Sequence, residues 1–257
     1  MEMSRMQIVD AIKAFVEEND NIIAAWEGGS AAYAEDDELS DLDLITICED
    51  EDKLLVFEKF RDFLSGQYSI RKEINVPEPT WHGYSQSFFF IENAPEMFYI
   101  DFLVMEKSQK NNLVQKNRHG NAKIWFDPQN LIDTSPMPQK TIDEKCRESY
   151  EKVKDFFELM YIETKQEILR NRFIDAVAYY NGIISRIATL HNILHRPAKY
   201  EFGQRYYYRE MPNSTIEEME KLLSYKNIEE LNENLEKSRK IYNKLCKTID
   251  DKFSSKP

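Results

Sequence analysis

Two aspartates and a glycine turn near the start of the chain form a pattern that suits phosphate chemistry. Asp41 and Asp43 stand one residue apart in a segment with the alternation of a β-strand. Side chains alternate between the two faces of a strand, so both carboxylates are expected on one face. Two unit charges ~4 Å apart cost about 4 kcal/mol at an effective dielectric near 20, so such a pair favours a bound proton or cation. A divalent ion such as Mg²⁺ takes oxygen ligands and keeps positions open for phosphate oxygens.

A glycine turn, Gly28-Gly29-Ser30, precedes this acidic pair by ten residues and follows the apolar segment 22–26. Glycines allow the backbone to come close to a phosphate group. Ser30 offers a hydroxyl group and, if it begins a helix, a backbone N–H at the positive end of that helix. The turn is therefore a candidate phosphate-binding element.

A third carboxylate, Asp101, is the only charged residue in the apolar segment 98–104. A lone aspartate in such a strand needs a partner or a metal ion. Asp101 is therefore expected to complete a metal site and to accept the proton of an attacking hydroxyl group. Glu92 is the alternative base.

The elements that position these residues can be read from hydrophobic periodicity. A capping box at Ser4 and Gln7 predicts a first helix that ends near Asn19. A second helix is expected over about 51–64, closed by Gly66. Strands are expected at 22–26, from 42 onward, and at 68–74, 87–91, 97–105 and 122–126. The proline-containing stretch 128–138 is interpreted as a boundary, and helical spacing alone follows Thr141.

Together these elements predict two domains. An N-terminal α/β or α+β domain over 1–135 is followed by a helical bundle over 140–257. The chain has 257 residues, which suffice for one large or two small cores.

Composition narrows the environment and the partners. The formal net charge of -12 disfavours a long nucleic acid or an anionic membrane as partner, and slightly favours a cationic small substrate. No apolar segment approaches the ~20 residues of a membrane span, and the N-terminus lacks the pattern of a signal peptide. Three well-separated cysteines without a CxxC pair fit a reducing cytoplasm with neither disulfides nor a zinc site.

The motif set resembles a known family. The Gly-Gly-Ser turn, the ten-residue gap, Asp41-Leu42-Asp43 and the later Asp101 resemble the nucleotidyltransferase superfamily that includes DNA polymerase β. The chain length and helical second half are similar to the bacterial antibiotic nucleotidyltransferases, namely the lincosamide enzymes and the aminoglycoside 6-adenylyltransferases. Two looser similarities are segment 122–128, which matches a closing strand, and segment 169–176, which matches an arginine-containing helix start.

The resemblance implies a polymerase β-like mixed sheet and a reaction. Gly29 and Ser30 would hold the β- and γ-phosphates of a nucleoside triphosphate, and Asp41, Asp43 and Asp101 would bind two Mg²⁺ ions. A substrate hydroxyl group would attack the α-phosphorus in line, and pyrophosphate would leave. The group transferred is expected to be AMP, and the acceptor an aminoglycoside-like or lincosamide-like small molecule.

One departure from the family concerns positive charge near the turn. Family members often carry a basic residue soon after the Gly-Ser pair, whereas here no lysine or arginine occurs between Lys13 and Lys53. The charge is therefore expected from Mg²⁺ and from a basic, aromatic segment at 195–209. Its candidate triphosphate-binding residues are Arg196, Lys199 and Arg205, and the tyrosines at 206–208 could stack on a base or a substrate ring.

Two alternatives follow from the same residues. The missing basic residue is compatible with a nucleotide-binding or scaffold protein that has the fold without turnover, against which the intact carboxylate set counts. A protein side chain is the other possible acceptor, as in the small antitoxin-type members of the superfamily. A zinc site at His191 and His195 is disfavoured because no third ligand is near in sequence.

Overall fold

The structure is a computed structural model that describes residues 3–80, 82–109 and 114–254. The chain divides into two compact units, Met1–Pro136 and Met137–Pro257. The following paragraphs describe each unit by itself.

The first unit combines a six-stranded sheet with two long helices and one short helix. Its elements in chain order are α1 (Arg5–Glu18), β1 (Ala24–Glu27), β2 (Leu42–Cys48), α2 (Lys53–Gln67), β3 (Ile70–Asn75), β4 (Ser85–Ile91), β5 (Ile100–Glu106), α3 (Lys116–His119) and β6 (Lys123–Phe126).

The strand order of this sheet is β3-β4-β5-β2-β1-β6. The central pair, β2 and β5, is parallel, whereas the other neighbouring strands run antiparallel. The predicted α+β class with a mixed sheet is therefore confirmed. The parallel pair matters for the site because it sets the carboxylate-bearing strands side by side.

Local sequence explains where these elements begin and end. Ser4 caps α1: its hydroxyl accepts a hydrogen bond from the backbone N–H of Gln7, whose side chain accepts one from the backbone of Ser4. This is the predicted capping box. Helix α2 continues through Gly66 and ends at Gln67, so the predicted closure at Gly66 is wrong. A side chain at Gly66 would meet no atom within 4 Å, so glycine here reflects an exposed helical position.

The two faces of the sheet have different surroundings. On one face α1 and α2 bury the side chains of Ile8, Ile12 and Phe60 against the strands. On the other face a smaller apolar cluster forms around Trp26 and includes Ile45, Leu103 and Met105. Because Asp43 and Asp101 alternate with the residues of the first cluster, they lie on the second face, beyond the end of the smaller cluster.

All regular secondary structure among the described residues of the second unit is helical. Its elements are α4 (Gln139–Leu169), α5 (Phe173–His195), α6 (Tyr207–Glu210), α7 (Asn213–Leu223) and α8 (Ile228–Ser254). Tyr150, Phe157, Ile187 and Leu235 are among the side chains that these helices bury in a common core. The predicted helical bundle is therefore confirmed. Among the described residues no helix is both long enough and apolar enough to cross a membrane.

Candidate active site

The parallel pairing of β2 with β5 places two of the three predicted carboxylates next to each other. Asp43 is the register partner of Asp101 on the adjacent strand. Adjacent strands are ~4.8 Å apart, and register partners point to the same face. Asp41 directly precedes β2 and, by the same alternation, faces the same side. The structure thus brings Asp41, Asp43 and Asp101 to one end of one sheet face.

The glycine turn lies directly against Asp43. Gly29 has a φ of +53°, and a Cβ atom built on it would lie 1.7 Å from Oδ2 of Asp43. The backbone N–H of Gly28 donates a hydrogen bond of 2.9 Å to the carbonyl oxygen of Asp43. A glycine is therefore required at position 29 both for the left-handed backbone and for the space that the carboxylate fills.

Ser30 begins a short turn and does not begin an α-helix. It has right-handed helical dihedral angles and precedes a single 3₁₀ turn at Ala31–Tyr33. Its carbonyl oxygen accepts hydrogen bonds from the backbone N–H groups of Tyr33 and Glu35. The expected helix N-terminus for phosphate binding is thus reduced to one tight turn.

Two of the carboxylates, Asp43 and Asp101, have pKa values above the ordinary value of an aspartate. Burial raises the pKa of Asp43 to about 7, with further contributions from the negative charges of Asp41, Asp101 and Glu27, and Arg5 opposes the shift. Burial also raises the pKa of Asp101 to about 6, which a hydrogen bond from Gln86 counteracts. This cluster therefore carries more negative charge than its surroundings stabilise, which is the electrostatic condition for binding a cation.

Two neutral donors hold the carboxylates, and sequence reasoning missed both. Nε2 of Gln86 donates a hydrogen bond of 2.7 Å to Oδ1 of Asp101. Burial and a hydrogen bond to Asp41 raise the pKa of the Tyr99 hydroxyl group, so Tyr99 remains a neutral donor to that carboxylate. Tyr99 stands two residues before Asp101, but Gln86 could be found only by knowing which strand pairs with β5.

A buried cation, Arg5, lies behind the acidic motif. Its side chain is 8% exposed, and its guanidinium group lies 2.7 Å from Oε1 of Glu27, whose side chain is 1% exposed. The same side chain donates hydrogen bonds of 3.0 Å to the carbonyl oxygens of Ser40 and Asp41. Arg5 therefore fixes the backbone that leads into the acidic pair. Helix α1 therefore supplies a positive charge near the acidic motif, which the sequence between Lys13 and Lys53 lacks. Because Arg5 already bonds Glu27 and the backbone of Ser40 and Asp41, its role is to position that backbone.

Replacing Arg5 with alanine is expected to destabilise the first unit by about 3 kcal/mol, because it leaves the buried Glu27 without its closest cation. Urea unfolding monitored by circular dichroism measures the change. Lys13→Ala, on the same helix, is the matched control: its ion pair with Glu17 is exposed and 3.8 Å long, and its loss should cost under ~0.5 kcal/mol. Equal effects of the two variants would contradict a positioning role for Arg5.

The three carboxylates of Asp41, Asp43 and Asp101 are chemically suited to Mg²⁺, because this ion prefers hard oxygen ligands. The raised pKa values of Asp43 and Asp101 likewise indicate a place where a divalent ion would relieve repulsion. Nevertheless, within the described part of the chain, no three His, Cys, Asp or Glu side chains are arranged so that they could hold one metal ion. A metal site at Asp41, Asp43 and Asp101 therefore stays a prediction.

Glu92, the alternative base, lies far along the sheet. Phe88 is the register partner of Asp101, and Glu92 is four residues further on, beyond the end of β4. At about 3.3 Å per residue this corresponds to ~13 Å. Glu92 is also exposed. The geometry thus favours Asp101 as the group that accepts a proton.

The basic segment predicted to bind triphosphate lies in the second unit, where two of its three cations pair with an internal carboxylate. Arg196 and Lys199 are 8% and 7% exposed, and both pair with Glu210. Arg205 is exposed, and its guanidinium group lies 4.9 Å from the ring centre of Phe202. Glu210 therefore gives Arg196 and Lys199 a structural role. A triphosphate role for the three residues stays a prediction.

Comparison with known proteins gives weak structural similarities, of which two are described here. No protein-family profile and no curated protein sequence matches the chain. The chain is similar to the crystal structure of an aminoglycoside 6-adenyltransferase from Bacillus subtilis, with 12% identity over 99% of this chain and 93% of that one, at a TM-score of 0.37. It is also similar to a spectinomycin adenyltransferase from Enterococcus faecialis solved with ATP and spectinomycin, with 13% identity over 94% and 98%, at 0.33. Both of these structures are of adenyltransferases.

Proposed function

We propose that the chain is a nucleotidyltransferase that transfers a nucleoside monophosphate, AMP in the first instance, from a nucleoside triphosphate to a hydroxyl group of a small molecule. One observation carries the proposal: two carboxylates are register partners on parallel strands, and the first lies against a glycine turn with left-handed backbone. Such a site combines a place for divalent cations with a backbone that a phosphate can approach closely.

Each residue has a proposed role. Asp41, Asp43 and Asp101 hold two Mg²⁺ ions, which when bound neutralise charge on the triphosphate and on the leaving pyrophosphate. Gly28, Gly29 and Ser30 contact the phosphates. The oxygen of the acceptor hydroxyl group bonds to the α-phosphorus while the bond from the α-phosphorus to pyrophosphate breaks. Asp101 takes up the proton that this hydroxyl group loses.

The proposed acceptor is a small cationic molecule in the cytoplasm. The net charge of -12 favours cationic ligands over long nucleic acids. All three cysteines are free, which fits a reducing compartment. Spectinomycin and an aminoglycoside such as kanamycin, together with lincomycin, are therefore suitable first probes.

Two measurements test the proposal. Titration calorimetry with Mg-ATP measures binding, and a pyrophosphate-release assay with ATP, GTP, CTP or UTP and each probe acceptor measures transfer. We expect micromolar binding of one triphosphate and acceptor-dependent release of pyrophosphate, with the product heavier by one nucleoside monophosphate in mass spectrometry. Asp10→Asn, an exposed change on α1, is the control and should behave as wild type.

The alternatives give different results. Tight Mg-ATP binding without transfer to any small acceptor favours the nucleotide-binding protein without turnover. Labelling of a protein by α-³²P-ATP in a cell extract, without small-molecule transfer, favours the protein-modifying alternative. Absence of triphosphate binding contradicts the proposed function altogether.

A further inference from the structure

Behind Asp101 the structure contains a chain of side-chain hydrogen bonds that the proposed reaction does not yet use. Nε2 of Gln86 donates to Oδ1 of Asp101 at 2.7 Å. Oε1 of the same amide lies 3.2 Å from Nε2 of His82. Gln86 is on β4 and His82 in the loop that precedes it, so two separate elements converge on one carboxylate.

Backbone contacts define the direction of this chain. The backbone N–H of Tyr84 donates a hydrogen bond of 3.1 Å to Nδ1 of His82. A backbone N–H can only donate, so Nδ1 must be unprotonated and the imidazole proton must reside on Nε2. Nε2–H then donates to Oε1 of Gln86, which leaves the amide NH₂ of Gln86 to donate to Asp101. Oγ1 of Thr80 is a second neighbour of Nδ1 of His82, at 3.1 Å. With the backbone N–H of Tyr84 as the donor to Nδ1, the hydrogen bonds run from His82 through Gln86 to Asp101.

The imidazole ring is itself held in place. Its plane stacks on the ring of Tyr84, with 5.3 Å between the ring centres and 23° between the planes. Thr80, which is buried, donates through Oγ1 to the carbonyl oxygen of Tyr84 at 2.6 Å and accepts from the N–H of Gly83 at 3.1 Å. Thr80, Gly83 and Tyr84 are thus hydrogen-bonded around His82, whose Nε2 faces Gln86.

We infer that Gln86 and His82 are positioning residues for the proposed transfer: His82 orients the Gln86 amide, and the amide fixes the rotamer of Asp101. This inference rests on the proposed function. A neutral amide is suited to this role because it holds Oδ1 without introducing a cation that would compete with a metal ion. The other oxygen, Oδ2, is then assigned to the cation and to the proton of the acceptor. Partners that orient a metal-binding carboxylate typically contribute 10- to 100-fold to activity or metal affinity.

A spectroscopic experiment tests the arrangement without relying on activity. The protein labelled uniformly with ¹⁵N is studied by NMR at pH 8. We expect Nδ1 of His82 unprotonated and Nε2 protonated, and a shift of the Gln86 side-chain amide protons in the Asp101→Asn variant. An Nδ1-protonated imidazole, or Gln86 amide signals that do not respond to Asp101→Asn, would overturn the inference.

Kinetic variants then test its consequence. Gln86→Met, of similar size, should lower kcat by 10- to 100-fold while the KM for ATP changes less than about threefold. His82→Phe retains the stacked ring and should lower kcat about fivefold. His82→Gln, which keeps a side-chain N–H donor, should have a kcat between those of His82→Phe and the wild type. In the Gln86→Met background, His82→Phe should cause no further loss of kcat. Ser87→Ala is the control. Ser87 follows Gln86 in β4 and faces the other side of the sheet, where its hydroxyl group donates a hydrogen bond to Asn75. The kcat of this variant should stay within twofold of the wild-type value.

The two proposals fail in distinguishable ways. If the wild-type chain transfers nucleotides and Gln86→Met retains kcat within twofold, or the effects at positions 82 and 86 simply add, the positioning role is wrong and the proposed function stands. If the wild-type chain transfers nothing, the proposed function is wrong, and the NMR result alone decides whether the hydrogen-bond chain exists.

Discussion

Replacing Gly29 with alanine is expected to lower nucleotidyl transfer by about 100-fold or more while leaving the protein folded. An alanine Cβ at this position would lie 1.7 Å from Oδ2 and 2.8 Å from Cγ of Asp43, so the carboxylate must rotate away. A displacement of this size at a metal-binding or phosphate-binding group accounts for a loss of that order. Steady-state kinetics with Mg-ATP and the acceptor identified by pyrophosphate release measure the change.

The chain provides a matched control for the backbone cost of this substitution. Gly203 has a φ of +58°, almost the same as the +53° of Gly29, but a Cβ there would meet no atom within 4 Å. Both alanine variants should lose about 1 kcal/mol of stability from left-handed backbone. Only Gly29→Ala should also lose activity. Equal activity of the two variants would show that the contact with Asp43 is not part of the site.

Replacing Asp43 with asparagine is expected to abolish transfer and, in the absence of divalent cations, to stabilise the protein. Burial and neighbouring carboxylates raise the pKa of Asp43 from its ordinary 3.8 to about 7. At pH 8 the carboxylate of Asp43 is charged although its surroundings favour the neutral form. This lowers the free energy of unfolding of the wild-type protein by about 2–4 kcal/mol, a cost that the neutral amide of asparagine avoids. Chemical denaturation in EDTA should therefore show the variant more stable than wild type, with Asp10→Asn unchanged.

The pH dependence of this stabilisation has a defined sign. Between pH 4 and 7 the folded wild-type protein binds more protons at Asp43 than the unfolded chain, so its stability falls as pH rises through this interval. The advantage of Asp43→Asn should therefore be small near pH 4, grow toward pH 7 and level off above it. An advantage that shrinks with increasing pH would contradict the raised pKa.

Magnesium should reverse the ranking of the two proteins. A cation that binds the folded state stabilises it in proportion to the logarithm of its concentration over Kd. Millimolar Mg²⁺ with ATP should raise the Tm of the wild-type protein and leave that of Asp43→Asn unchanged. If the variant retains transfer near the wild-type rate, Asp43 is not a metal ligand.

The sequence predicted the local parts of this site well because local chemistry determines them. The capping box at Ser4, the alternation around Asp43 and the glycine turn depend on residues that are near one another in the chain. The lone charge of Asp101 in an apolar strand could be recognised for the same reason. The α+β class followed from the change from strand-like to helical periodicity near Thr141.

The parts that the sequence could not predict depend on which strands pair and which side chains fill the space between them. In the sequence, Arg5 is one arginine of an amphipathic helix, and Gln86 is one glutamine of a strand rich in aromatic residues. Neither pattern indicates a functional site. Their roles become visible only when α1 packs behind Asp41 and β4 pairs with β5. Similarly, Glu210 lies far enough along the chain from Arg196 that their pairing could not be read from spacing.

The parallel pairing of β2 with β5 also has a consequence for how the protein folds. The two strands are separated in the chain by α2, β3 and β4, so their pairing closes a long loop, and contacts of this kind form slowly and late. The acidic pair at Asp41 and Asp43 meets Asp101 only when that closure is complete. We therefore expect the repulsion among these carboxylates to oppose this closure, and a divalent cation in the refolding buffer to accelerate refolding.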